Sequence, residues 1–266
     1  MTIKILTWNI NGIRSIIKKN NIINNKKSKN NTFFNYIQKE DPDIICLNEL
    51  KICNDKYDKN ILSEYKYQCI NLSCEKKGYA GVSIYSKIKP ILSCKKFESS
   101  GRYSMMEFDK FILICVYVMN SGDKLKNLDK RHIWNNLFLN KIKELQKKYN
   151  KEIIITGDLN VINNSKDTYN YKQQRNKISG VSDIEMNDFQ NFLKETKLLD
   201  TWYILSDTHK FTYFTYRFKS RIYNKGMRID YFLTSYNFLK YIKNIEIKDN
   251  IYGSDHLPII LNFNIS

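Results

Sequence analysis

The chain has 266 residues, of which 42% are apolar and 14% aromatic, and its formal net charge is +17. This composition excludes a disordered chain and is enough for one large domain with a substantial core. A charge of that size and sign is usually offset by an anionic partner such as nucleic acid, a phosphorylated substrate or an acidic membrane, unless an A+T-rich genome has inflated Lys, Asn and Ile.

Apolar and polar residues alternate over 3–8, so the start of the chain reads as a strand rather than a signal peptide. Residues 18–31 are almost wholly Lys, Asn, Ser and Ile. They read as a mobile basic surface loop, with a dedicated DNA-binding arm as the alternative. A short amphipathic helix follows over 33–40, then a buried strand over 44–47 set off by Pro42. Four strand-like runs, 82–85, 91–97, 103–108 and 111–118, succeed one another with short connections, as in an antiparallel meander. The stretch 125–149 has helical spacing, 153–156 is a further buried strand, and 183–196 is a helix beginning near Asp183. Strands recur over 211–214, 229–234, 245–248 and 257–263.

No Pro- or Gly-rich linker divides the chain, so one domain is expected, an α/β fold of two packed sheets with helices outside them. No apolar run approaches the roughly 20 residues of a membrane span. The six cysteines form no C-x-x-C pair, and Cys46 and Cys115 sit in apolar runs as core residues. The expectation is an intracellular protein with reduced thiols.

Polar residues collect at strand ends: Asn9 and Asn11 after the first, Asn48 and Glu49 after the second, Asp158 and Asn160 after 153–156, and Asp255 and His256 before the last. Any one of these could be a turn or a cap. Together they are hard-ligand and proton-transfer groups suited to Mg²⁺ and phosphate chemistry rather than zinc or redox work.

The runs WNINGIR (8–14), LNELK (47–51), GYAGV (78–82), YVMNSG (117–122), GDLNV (157–161), RIDYF (228–232) and GSDHLP (253–258) lie in order across nearly the whole chain. In this the chain resembles the exonuclease III family of abasic-site endonucleases, within the DNase I-like metal-dependent phosphodiesterases. The resemblance implies a four-layer α/β sandwich with its site at one edge of the paired sheets. It implies a Mg²⁺-dependent nuclease, with Mn²⁺ able to substitute, that cuts 5′ to abasic sites in double-stranded DNA and also trims 3′ ends. A monomer is expected.

The family pattern assigns Glu49, Asn9 and Asp255 to the metal, with Asp158, Asn160 and His256 beside it. Tyr117, Asp158, Asn160, Asp230 and His256 would be catalytic, Asp230 orienting His256. Either Asp158 or His256 would take the proton of the attacking water. Arg14, Gly78, Tyr79, Asn120 and Arg228 would contact DNA. Tyr213, Phe214, Met227 and Ile229 would form an apolar pocket for the baseless sugar. Asn48, Leu50, Tyr213 and Met227 depart from the family's usual residues, leaving the chemistry intact and the fine specificity open. Relatives of the same group that act on inositol phosphates, sphingomyelin or RNA tails would lack the GYAG loop.

Overall fold

The computed structural model describes residues 2–24, 33–93, 97 and 99–265, with the side chains of 19–24 left aside. In chain order the strands are β1 (Thr2–Asn9), β2 (Ile44–Asn48), β3 (Tyr67–Asn71), β4 (Val82–Ser86), β5 (Leu92–Ser93) and β6 (Tyr103–Glu107). They continue with β7 (Phe111–Tyr117), β8 (Glu152–Asp158), β9 (Leu198–Asp200), β10 (Asp230–Ser235), β11 (Ile242–Ile247) and β12 (Ile259–Asn264). The helices are α1 (Ile13–Asn24), α2 (Phe33–Glu40), α3 (Leu128–Lys148), α4 (Tyr171–Gln174), α5 (Asp183–Thr196) and α6 (Thr201–Leu205).

The strands make two mixed six-stranded sheets, ordered β11-β12-β1-β2-β4-β3 and β5-β6-β7-β8-β10-β9. Strand periodicity explains the layering. Ile3 and Ile5 of β1, with Leu113 and Cys115 of β7, face the core between the sheets. Leu6 and Trp8 point the other way, against Ile13 and Ile16 of α1 and Phe33 and Tyr36 of α2. Ile112, Ile114 and Val116 of β7 likewise turn outward onto Trp134 and Phe138 of α3 and Phe189 of α5. The result is the expected sandwich of helix, sheet, sheet, helix. Among the described residues no helix is long and apolar enough to cross a membrane.

The structure corrects three local readings. The meander covers only β5, β6 and β7, because β4 pairs with β2 and β3 in the other sheet. Residues 18–24 continue α1 rather than opening a loop; Ile13 and Ile16 bury its inner side, and the Lys/Asn-rich composition masks that periodicity. Residues 25–31 of that stretch lie outside the described residues. Residues 211–214 form no strand; Tyr213 makes isolated bridges to Met227 and His256.

In each sheet two parallel neighbours, β1 with β2 and β7 with β8, end on the same side. Their C-terminal ends carry Asn9, Asn48, Tyr117 and Asp158. Asp230 is paired in register with Asp158 on the antiparallel neighbour β10. Parallel register thus gathers polar side chains from positions far apart in sequence.

Candidate active site

Several chain segments leaving these strand ends turn through left-handed backbone, at Asn11 (φ 47°), Glu49 (φ 53°), Lys51 (φ 49°) and Asn160 (φ 50°). Non-glycine residues pay for such turns with strain, and strain of this kind clusters at functional sites. The turns aim the side chains into a cleft of about 630 Å³, with Glu49, Asp158, Asp255 and His256 among its lining.

Asn9 organises the floor. Its amide donates to Glu49 Oε1 (3.1 Å) and to Asp158 Oδ2 (2.8 Å), and its own oxygen accepts from the Asn11 N–H (3.0 Å). Asp158 also accepts from the Asn160 N–H (2.8 Å) and the Asn160 amide (3.2 Å). Burial, and then the neighbouring Asp230 charge, raise the Asp158 pKa to about 8. Burial also works against ionisation of Glu49, but the Lys51 ammonium on its carboxylate overrides this and holds the pKa below the ordinary value.

His256 lies with Nδ1 2.8 Å from Asp230 Oδ2 and Nε2 3.8 Å from Asp158 Oδ2. Burial alone would discharge the imidazole, but the Asp230 and Asp158 carboxylates reverse this and lift its pKa to about 10. Thr212 Oγ1 donates to the same Asp230 oxygen (2.7 Å), fixing the carboxylate that orients the ring. Tyr117 stays a neutral phenol, because burial and the charges of Glu49 and Asp158 push its pKa far up.

The residue profile of the Endonuclease/Exonuclease/phosphatase family matches residues 6–256, which include every group just described.

The chain belongs to the endonuclease/exonuclease/phosphatase family.

Its relatives in sequence include "Exodeoxyribonuclease" of Bacillus subtilis, 34% identical over 98% of this chain and 100% of that protein. "DNA repair nuclease APEX1" of Danio rerio is 32% identical over 97% of this chain and 81% of its own length. The chain is 37% identical to "Recombination repair protein 1" of Drosophila melanogaster but spans only 37% of that longer protein. The solved AP endonuclease LMAP from Leishmania major superposes with a TM-score of 0.85 over 100% of this chain and 88% of that one, at 22% identity, and so shares the fold.

For this family member the donor set fits a hard divalent cation, since three carboxylates, Glu49, Asp158 and Asp255, line one cleft. Three residues expected at a metal are arranged otherwise. Asn9 and Asn160 turn N–H groups, not oxygens, toward the carboxylates. His256 gives its Nδ1 to Asp230 Oδ2 and turns Nε2 toward Asp158. Asp158, Asp230 and His256 also present donor atoms within 4.8 Å of one another, a second group that could hold a cation.

Two expected contact residues are corrected. Arg228 does not line the cleft. It is 2% exposed, and its guanidinium bonds Asp167 and Asp200 at 2.7–3.0 Å. Met227 and Ile229 line the cleft while Arg228, between them on an extended segment, points inward. Phe214 belongs to the core between the sheets, packed with Phe211, whereas Tyr213 lies in the cleft with its ring 4.9 Å from that of His256. Of the remainder, Tyr79 and Asn120 line the cleft, Gly78 turns the chain beside them at φ +68°, and Arg14 is exposed at the start of α1, outside it.

Sequence reasoning missed three residues. Lys51 contacts Glu49. Arg131 reaches from α3 to the carbonyls of Met119, Leu159 and Asn160 (2.5, 2.7 and 3.3 Å), holding the turn after Asp158. Phe218 stands 85% exposed on the cleft lip at φ 59°. An aromatic between two cations, Arg217 and Lys219, was the available signal for Phe218.

Proposed function

We propose that this chain hydrolyses the phosphodiester 5′ to abasic sites in double-stranded DNA, with Mg²⁺ as its working cation and 3′-end trimming as a further activity. We take it to act as an intracellular monomer. The observation that carries this reading is one cleft that joins the Glu49–Asp158–His256 cluster to a small apolar recess of Tyr213, Met227 and Ile229. An apolar lining of that character suits a bare deoxyribose, and extrusion costs least where no base is present. Relatives named as an exodeoxyribonuclease and a DNA repair nuclease support DNA as the substrate. The rim cations Lys124, Lys177 and Lys225 suit its phosphates.

Glu49 and Asp255 would hold the cation, which when bound neutralises charge growing on the phosphate and polarises its oxygens. The His256 imidazolium, held by Asp230, donates to a phosphate oxygen through Nε2. Tyr117, a neutral phenol, is a second donor. Asp158, held in the cleft by the Asn9 amide and the Asn160 N–H, is placed to take the proton from the attacking water. As water oxygen bonds to phosphorus the P–O3′ bond breaks, leaving a 3′-hydroxyl after protonation and a 5′-phosphate on the baseless sugar.

Specificity variants test this reading. Tyr213→Ala is expected to lower the preference for an abasic analogue over an ordinary 3′-terminal nucleotide, at unchanged metal affinity. Met227→Trp, which stiffens the recess, is expected to raise that preference. Phe218→Ala removes only exposed area, so it should weaken DNA binding without moving Tm. Equal losses on both substrates for the Tyr213 and Met227 variants would mean that these side chains serve folding alone.

A further inference from the structure

Glu49 and Lys51 both adopt left-handed backbone, at φ 53° and 49°, in a turn pinned by Leu50 N–H to Gly81 O (3.0 Å) and Lys51 N–H to Ala80 O (2.9 Å). This conformation, unfavourable for both residues, brings the two side chains into the same cleft. The Lys51 ammonium sits on Glu49 Oε2 and donates to Asn11 Oδ1 at 2.5 Å. The Asn11 amide in turn donates to Asp255 Oδ1 at 2.9 Å. Lys51 therefore links, directly and through Asn11, the two carboxylates that the proposed function assigns to the cation.

We propose that Lys51 is a built-in counter-ion of Glu49 that a divalent cation must displace. The inference rests on the metal assignment above and adds to it a competitor within the chain. An ammonium and a divalent ion on one carboxylate oxygen repel each other strongly at a partly buried site, so uptake of the cation requires the ammonium to leave. The route is open, because the Lys51 side chain is 37% exposed, whereas that of Glu49 is 12% exposed. A lysine is a flexible point charge that can swing to another anion. Two consequences follow. The carboxylates stay neutralised and ordered before metal arrives, at the expense of metal affinity. The released ammonium then faces the cleft, where a phosphate oxygen can take it, so cation and DNA favour each other's binding.

The test is Mn²⁺ binding to the DNA-free protein, followed by calorimetry and by the electron paramagnetic resonance of free Mn²⁺. Lys51→Met is expected to tighten binding about tenfold, a change of about 1.4 kcal/mol. Lys51→Arg, which keeps the charge, should bind as wild type does, and thermal melts in chelator check that both variants fold. Glu49→Gln should weaken binding, and adding Lys51→Met to it should no longer tighten it, as expected of two coupled groups. If Glu49→Gln weakens binding but Lys51→Met leaves it unchanged or weaker, the counter-ion role is overturned and the metal assignment stands. If Glu49→Gln has no effect, the cation lies elsewhere and both ideas fall.

Discussion

Replacing His256 with Ala is expected to lower kcat on an abasic duplex by about 10²–10⁴, the range for a group that donates or accepts a proton in the transition state. Asp230→Asn should cost a similar factor, because Asp230 Oδ2, 2.8 Å from Nδ1, both orients the ring and keeps it charged. The double variant should lose little more than the worse single one, since groups that act as a unit do not multiply their losses. Multiplicative losses would show that the two act independently.

The same pair governs how the metal-free protein responds to pH. The His256 pKa is raised from the ordinary 6.5 to about 10. Its stabilisation is therefore fully present below about pH 6.5 and is lost as pH rises through about 10. Asp158, whose pKa is raised to about 8, slopes in the same direction at lower pH. The His256 contribution is thus read above pH 8. There Tm in chelator should fall with pH in the wild type and much less in His256→Gln.

Gly157→Ala is expected to cost more than about 4 kcal/mol of stability, placing it among the rare severe substitutions. A Cβ at position 157 would lie 2.1 Å from the Val116 carbonyl oxygen and 2.9 Å from Asn48 Nδ2, at φ +131°. Val116 is its register partner on β7, and Asn48 is the side chain that crosses from β2 to donate to that same carbonyl (3.0 Å). Relief would require β7 and β8 to separate at the point where they deliver Tyr117 and Asp158. Gly12→Ala is the control. Its nearest neighbour would be 3.7 Å away, so its φ of +107° leaves mainly a backbone cost of about 1–3 kcal/mol. Denaturant melts separate the two, and a mild loss in Gly157→Ala would contradict the packing between β7 and β8.

Where one physical signal dominates, the sequence is legible. The helix at 33–40 and the helix at 183–196 appear with the expected bounds, because each has a strong apolar face, and Ser182 and Glu185 close a capping box on the second. The gathering of Asn9, Glu49, Asp158 and His256 was also legible, since each alone could be a turn or a cap but four polar strand ends in one family's order have one common explanation. Side-chain direction was not. Arg228 lies in a run typical of the family, and nothing local shows that Asp167 and Asp200, 61 and 28 residues away, hold it inward. Phe214 and Tyr213 alternate, but without a regular strand there was no way to tell which faced the cleft. Lys51 two residues after Glu49 would share its face on a strand but stand about 6–7 Å further along it, and the left-handed turn brings the two charges into contact.

The central claim is tested most directly with a labelled duplex that carries a single abasic analogue, incubated with the purified protein in Mg²⁺ or in chelator. The account predicts one incision immediately 5′ to the analogue, leaving a 3′-hydroxyl, in Mg²⁺ only and far faster than any cut in the undamaged duplex. Incision in chelator, or cutting at sites that do not follow the position of the analogue, would contradict it.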